Sequence, residues 1–180
     1  MYKIRWFFIY AGLLLILMYP LSTWSSVRTT LTSSQIQNAM VQYFPLREYA
    51  AFARITINLP DVLLTKGAKE VVLIMPVDAN IPDLGLQQGH AQIGIFINYN
   101  PANGGIYFSD PRIIEFVMPT VSKKMYKDLN STVDNIIKNA LPLIQIYKVN
   151  ESDLNHSLNK SVLKYFSIED GKMSVDVGFE

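Results

Sequence analysis

Residues 91–116 constrain the fold of this chain more tightly than any other stretch. Ala91, Ile93, Ile95, Ile97 and Tyr99 alternate strictly with Gln92, Gly94, Phe96 and Asn98, the period-two pattern of a half-buried strand. The loop Pro101-Ala102-Asn103-Gly104-Gly105 then returns the chain into Ile106 to Phe116, interrupted at Pro111. A hairpin of that length presents one long apolar face, and the rest of the chain must cover it. The strand before it, Glu70 to Ala79, carries Val71, Leu73, Met75 and Val77 on one face and Val72 and Ile74 on the other. Strands apolar on both faces are covered on both sides or meet an apolar partner.

The flanking segments supply the cover. Val27 to Leu31 reads as a short strand, and Thr32 and Ser33 offer N-caps to a helix whose face is Ile36, Ala39, Met40, Tyr43 and Phe44, ended by Pro45. Ile55, Ile57 and Leu59 alternate until Pro60, which cannot donate to a ladder and so marks a bulge or an edge, with the phase slipping to Val62 and Leu64. Lys66-Gly67 makes a turn, and residues 80–89 read as a connection. Pro119 and Thr120 open the longest helical pattern, which runs to Leu141 before Pro142. Its stripe is Val121, Met125, Leu129, Val133, Ile136, Ile137, Ala140 and Leu141, with Lys123, Lys124, Lys127, Asp128, Asp134 and Lys138 on the other face. Leu143 to Val149 reads as a strand and Ser152 to Tyr165 as a third helix, with Leu154, Leu158, Val162, Leu163 and Phe166 as its apolar positions. A closing hairpin turns at Asp170-Gly171. The expected class is α+β with an antiparallel meander.

The N-terminus carries a separate message. Lys3 and Arg5 precede an apolar run from Trp6 to Leu21, broken only at Pro20. A basic start followed by an apolar core is the export pattern, and it places the body across the membrane from the lysine and arginine. The chain therefore divides into residues 1–25, a signal peptide or signal-anchor transmembrane segment, and residues 26–180, one domain. Cleavage after Ser25 puts Thr23 and Ser25 at the small-residue positions; retention uses Tyr19 and Trp24 as interfacial anchors. Sixteen basic against fifteen acidic residues leave a net charge of +1, with no excess to attract nucleic acid. The absence of cysteine removes disulfides, thiolate metal sites and cysteine nucleophiles.

Several phrases carry a resemblance: LTSSQIQNAMVQYFP, ITINLPDVLL, EVVLIMPVDANI, GGIYFSDPRIIEF, ALPLIQIYKV and IEDGKMSVDVGF. Together they span Thr29 to Phe179 and resemble the YceB-like family of small bacterial envelope proteins. The resemblance implies a compact relative of the tubular lipid-binding (TULIP) fold: a curved antiparallel β-sheet wrapped around a long α-helix, here preceded by one N-terminal membrane-anchor or signal helix. It implies an apolar groove for acyl chains and no catalytic residues. The family's founding member has a lipobox cysteine and this chain has none, so any attachment falls to residues 6–21.

Two functions stay open on these grounds. The first is a non-enzymatic envelope protein that holds a lipid or other amphiphile, without cofactor or metal, between helix and sheet. Its groove is expected from Val121, Met125, Leu129, Val133 and Ile136 on the helix, opposed by Leu73, Met75, Ile93, Ile95 and Ile97; alternation sets the phase of those strands but not which face points inward. The second is a membrane-anchored scaffold or assembly factor with a fully packed core that docks an envelope protein. Either sits in the bacterial inner membrane as a single-pass protein with its C-terminal domain in the periplasm, or free in the periplasm if cut near Ser25. Asp78, Asp83, His90 and Asp110 lie near strand ends and suit turn roles. His156 stands alone on a polar face, and no G-x-S-x-G, H-E-x-x-H, Walker or dinucleotide motif occurs. Lys123, Lys124 and Lys127 form a basic cluster that serves as a solvated face or attracts anionic head groups.

Overall fold

The computed structural model describes residues 26–50, 52–150, 152 and 158–179. The expectations for residues 1–25 and for His156 therefore lie outside the described residues, as do Leu154 and most of the helix expected to start at Ser152. Among the described residues no helix is long and apolar enough to cross a membrane. Strand makes up 55% of the described residues, in a curled antiparallel half-barrel with two helices. This overturns the expected α+β arrangement of a sheet wrapped around a long helix.

The half-barrel has the order β2-β3-β5-β6-β7-β8, with β4 also on β5. Its strands are β2 (Leu46–Ala50), β3 (Ala53–Ile57), β4 (Asp61–Leu63), β5 (Val71–Ile81), β6 (Gly85–Asn100), β7 (Gly105–Val117) and β8 (Gln145–Lys148). Its backbone is the long pairing of β5 with β6 and β6 with β7, every neighbour antiparallel. The stretch 80–89, expected as a connection, is instead a tight hairpin in which Ile81 faces Gly85 across residues 82–84. Polar residues there hid the ladder, because this end of the hairpin presents Asn80, Gln88 and His90 to solvent. Curl enters through bulges. One step of β6 from Gln92 to Ile93 matches two of β7, and two steps from Gly94 to Phe96 match three, the second at Asp110-Pro111, where Asp110 has φ 49°. On the other flank β3 and β4 both pair β5, and four steps from Ile57 to Asp61 match three from Val77 to Ile74. The extra residue lies beside Pro60, the bulge that its missing N–H demands.

A second sheet, β1 (Ser26–Thr32), β10 (Lys172–Phe179) and β9 (Ser161–Glu169), has the order β1-β10-β9. Met173, Val175 and Val177 of β10 are fully buried. The third helix, expected over Ser152 to Tyr165, fails here: residues 158–160 form a single 3-10 turn and Ser161 onward is strand. The Asp170-Gly171 turn explains the override. It pairs Lys172 with Glu169 and carries the ladder back to Ser161 opposite Phe179, so the hairpin claims Val162, Leu163 and Phe166 from the helical pattern. One buried hydrogen-bond relay ties the sheets. Ser161 Oγ donates to the Leu158 carbonyl, which leaves its lone pair to accept from the Tyr99 hydroxyl of β6 at 2.6 Å.

Helix α1 (Ser33–Met40) begins with a capping box: Gln35 N–H donates to Thr32 Oγ1 at 3.2 Å, and Thr32 N–H donates to Gln35 Oε1 at 2.9 Å. It buries Ile36 and Met40. Helix α2 (Lys123–Ala140) starts at the Ser122 cap, three residues later than Pro119 and Thr120 suggest. Its length is about 27 Å at 1.5 Å per residue, yet only Leu129, Val133 and Ile137 are buried. That single line of contact is why the sheet does not wrap it: a helix enclosed by a sheet needs an apolar surface all round, and α2 is polar or charged over about half of its circumference. It lies across the open side of the half-barrel, touching β7 and β2.

Two substitutions test this frame. A Cβ on Gly104 would stand 2.3 Å from the Val149 carbonyl oxygen, at a residue with φ +70°. That same loop holds β8, since Val149 N–H donates to the Gly104 carbonyl at 2.8 Å. Gly104→Ala is expected to cost about 2–3 kcal/mol in urea unfolding, from overpacking and the left-handed backbone together. Tyr99→Phe removes one buried hydrogen bond without a cavity, and thermal or urea unfolding should show a loss of about 1 kcal/mol.

Candidate functional site

The expected groove residues are largely inside the packed core. Leu73, Met75, Ile93, Ile95, Leu129 and Val133 are fully buried, and Val121, Met125, Ile136 and Ile97 are half-buried against them. The inward face of β5 is the one carrying Val71, Leu73, Met75 and Val77. On α2 the third fully buried position is Ile137 rather than Ile136. Consecutive isoleucines sit about 100° apart on a helix, so one points at the sheet and the other at its margin.

That margin is where the half-barrel is unclosed. Among the described residues β2 is an edge strand, paired only with β3, and the C-terminal half of α2 runs beside it. Between them is an open cleft of about 530 Å³, lined by Leu46, Arg47, Glu48, Tyr49, Thr132, Asn135, Ile136, Asn139, Ala140 and Leu143. Its apolar part is Leu46, Tyr49, Ile136, Ala140 and Leu143; two side amides, a hydroxyl and one charge of each sign surround it. Leu143 is 71% exposed and Tyr49 72% exposed, unusual for residues of that size. A second cleft, about 680 Å³, opens on the other side of Leu143, between the β6–β7 loop and Pro142. Of the ten residues expected to line a groove, Ile136 alone lines either cleft.

Sequence reasoning missed β2, which reads Leu46-Arg47-Glu48-Tyr49-Ala50 and shows no apolar alternation. An edge strand facing solvent needs none, and charges on it discourage pairing with foreign strands. Its one signal is a lone Tyr between a bend at Pro45 and the β-branched run of Ile55 and Ile57.

The outer face of the sheet holds a different feature. Leu63, Ile74, Phe96 and Ile114 are 38–46% exposed there, and Val72 is half-buried among them in register with Leu63 and Gly94. Across Gly94, Arg112 Nη2 donates to both Glu70 carboxylate oxygens at 2.7 and 2.9 Å. Glu70 Oε2 would lie 2.6 Å from a Cβ on Gly94, so the missing side chain makes room for this pair.

The titratable residues near strand ends do not converge. Asp78 accepts from Asn58 Nδ2 at 2.8 Å and Gln88 Nε2 at 3.1 Å, locking the β3–β5–β6 ladder. Asp83 sits in the β5–β6 turn, Asp110 in the β7 bulge, and His90 in register between Pro76 and Val117. Among the described residues no group of three His, Cys, Asp or Glu is placed to hold a metal ion.

Leu129→Arg separates core from ligand site. With Leu129 wholly enclosed, an unpaired buried guanidinium is expected to abolish the cooperative unfolding transition seen by circular dichroism. A folded Leu129→Arg protein would instead make this position a ligand wall.

No curated protein matches this sequence. A family model described as "Protein of unknown function (DUF1439)" matches residues 31–172, from the last core residue of β1 to the first residue of β10. The match takes in the whole half-barrel and both helices, and the chain belongs to that family of unknown function.

Proposed function

We propose that this protein is a non-enzymatic binder of a lipid or other amphiphile, taking the apolar tail into the cleft between α2 and β2. The observation that carries the reading is the unclosed side of the half-barrel. There an apolar floor of Leu46, Ile136 and Ala140 lies next to the core, with Leu143 and Tyr49 exposed at its edge beside polar residues. The cleft's volume of about 530 Å³ falls within the roughly 300–1,000 Å³ of small-molecule sites. Each methylene removed from water contributes about 0.8 kcal/mol, so a tail gives affinity without a matched head group. Arg47, Asn135 and Asn139 on the rim suit a polar head. Within the family, the resemblance to YceB-like envelope proteins supports a place at the periplasmic face of a bacterial inner membrane. Residues 6–21 then act as export signal or tether.

A second reading has its own observation. The exposed Leu63, Ile74, Phe96 and Ile114 on the outer face would suit a protein-docking scaffold, with the cleft incidental.

Trp6 and Trp24 are the only tryptophans, so residues 26–180 carrying Tyr49→Trp have one reporter, at the cleft rim. Titration with oleic acid below its aggregation range is expected to move that emission to shorter wavelength and saturate. Adding Ile136→Asp should remove the shift while the melting temperature stays within a few degrees. An emission maximum that never moves in a folded protein refutes the cleft and leaves the outer face as the working surface.

A further inference from the structure

One end of the half-barrel gathers features that its stability does not call for. The β5–β6 turn carries Pro82, Asp83 and Leu84 to solvent, and Leu86 follows on the next strand; Leu84 is 48% exposed and Leu86 60% exposed. The β2–β3 turn lies beside it, because Ala50, Phe52 and Ala53 share a small surface cleft with Asn80 and Pro82. Arg54 stacks on Tyr49 there, its guanidinium carbon 5.1 Å from the ring centroid. The start of α2 is tied to the same end through Gln87, which donates to the Leu84 carbonyl at 2.7 Å and accepts from the Thr120 hydroxyl. Lys123, Lys124 and Lys127 follow within two turns, all exposed.

These lysines are in the wrong place for the helix itself. Positive charge in the first turns opposes the macrodipole, and the first turn of α2 contains no acidic residue. The one described ion pair on α2 is at its far end, between Lys138 and Asp134. Arg47 is in register with Asp78 through Thr56, and Arg54, Lys123, Lys124 and Lys127 stand against Glu48, Asp83 and Asp128, so the positive charge of this end is concentrated in the three lysines at the start of α2. A turn with exposed Leu84 and Leu86, the exposed Tyr49 at its flank and cations around them form the pattern of an interfacial surface.

We propose that this end of the half-barrel docks on an anionic lipid bilayer, with Leu84 and Leu86 entering the head-group layer and the lysines meeting its phosphates. Charge complementarity selects the occupant: a protein groove would need matching acidic positions, whereas an anionic bilayer supplies negative charge wherever the lysines fall. The inference does not rest on the amphiphile cleft, although Tyr49 borders both surfaces.

The chain has no cysteine, so full-length protein with Leu84→Cys accepts a single nitrobenzoxadiazole label. Reconstituted with equimolar phosphatidylcholine and phosphatidylglycerol vesicles, the label is expected to brighten and shift to shorter wavelength, and to do neither in phosphatidylcholine alone. A label at Glu169→Cys, in the other sheet, should report water in both. The combined Lys123→Gln, Lys124→Gln and Lys127→Gln protein should fold normally and lose docking by about a hundredfold, near fivefold for each lysine neutralised. Added salt should weaken docking in the parent protein. A Leu84 label that stays in water with anionic vesicles overturns the proposal, as does an equal shift in phosphatidylcholine or at Glu169. None of these outcomes depends on whether oleic acid moves the Tyr49→Trp emission.

Discussion

Everything in this protein is arranged around one apolar sheet face that cannot be left open. Leu73, Met75 and Val77 of β5, Ile93 and Ile95 of β6, and Ile106 and Phe108 of β7 are all effectively removed from water. Three long antiparallel strands bring these side chains onto one surface, and the bulges at Ile114 and Asp110-Pro111 bend that surface inward. A fully closed barrel would hide it without help. Here the strands stop at β2 on one side and β8 on the other, so helices must fill the remainder: α1 with Ile36 and Met40, α2 with Leu129, Val133 and Ile137.

Incomplete closure has a chemical consequence. A helix laid over the gap matches a strand edge poorly, because its side chains project radially while the edge presents backbone donors and acceptors. The mismatch between α2 and β2 leaves the cleft under Tyr49 and Leu143. The β5–β6 turn at one end of the sheet presents Leu84 and Leu86 outward, with the exposed lysines of α2 following Thr120, which Gln87 ties to that end. Among the described residues the cleft follows from one architectural fact, a curled sheet that stops short of closing.

Much of this was readable from particular residues. Strict alternation from Ala91 to Tyr99 and the Pro101–Gly105 loop located the central hairpin, Pro60 located a bulge, and Thr32 capped a helix as its hydroxyl allows. Other parts were not readable. Val162, Leu163 and Phe166 fit a helical stripe, yet they form a strand because the Asp170-Gly171 turn recruits them against β10. Helical periodicity is a local signal, and strand pairing is decided by a partner elsewhere in the chain. β2 and the outer half of the β5–β6 hairpin were invisible for a related reason: polar strands at an edge or a tip have no buried face to mark them.

The sequence alone determined which residues are apolar, in what phase they recur, and where the backbone must turn or break. Those properties reside in single side chains and their near neighbours. Only the tertiary structure decided that the helix of residues 123–140 is a cover rather than a centre. The sequence shows one apolar stripe on that helix but not which strands the stripe meets, and that depends on how far the sheet curls before its edges reach the helix. The same holds for the candidate site. Tyr49, Ile136 and Leu143 are scattered and individually ordinary, and they become a cleft only because the sheet curls around to the helix and stops short of closing.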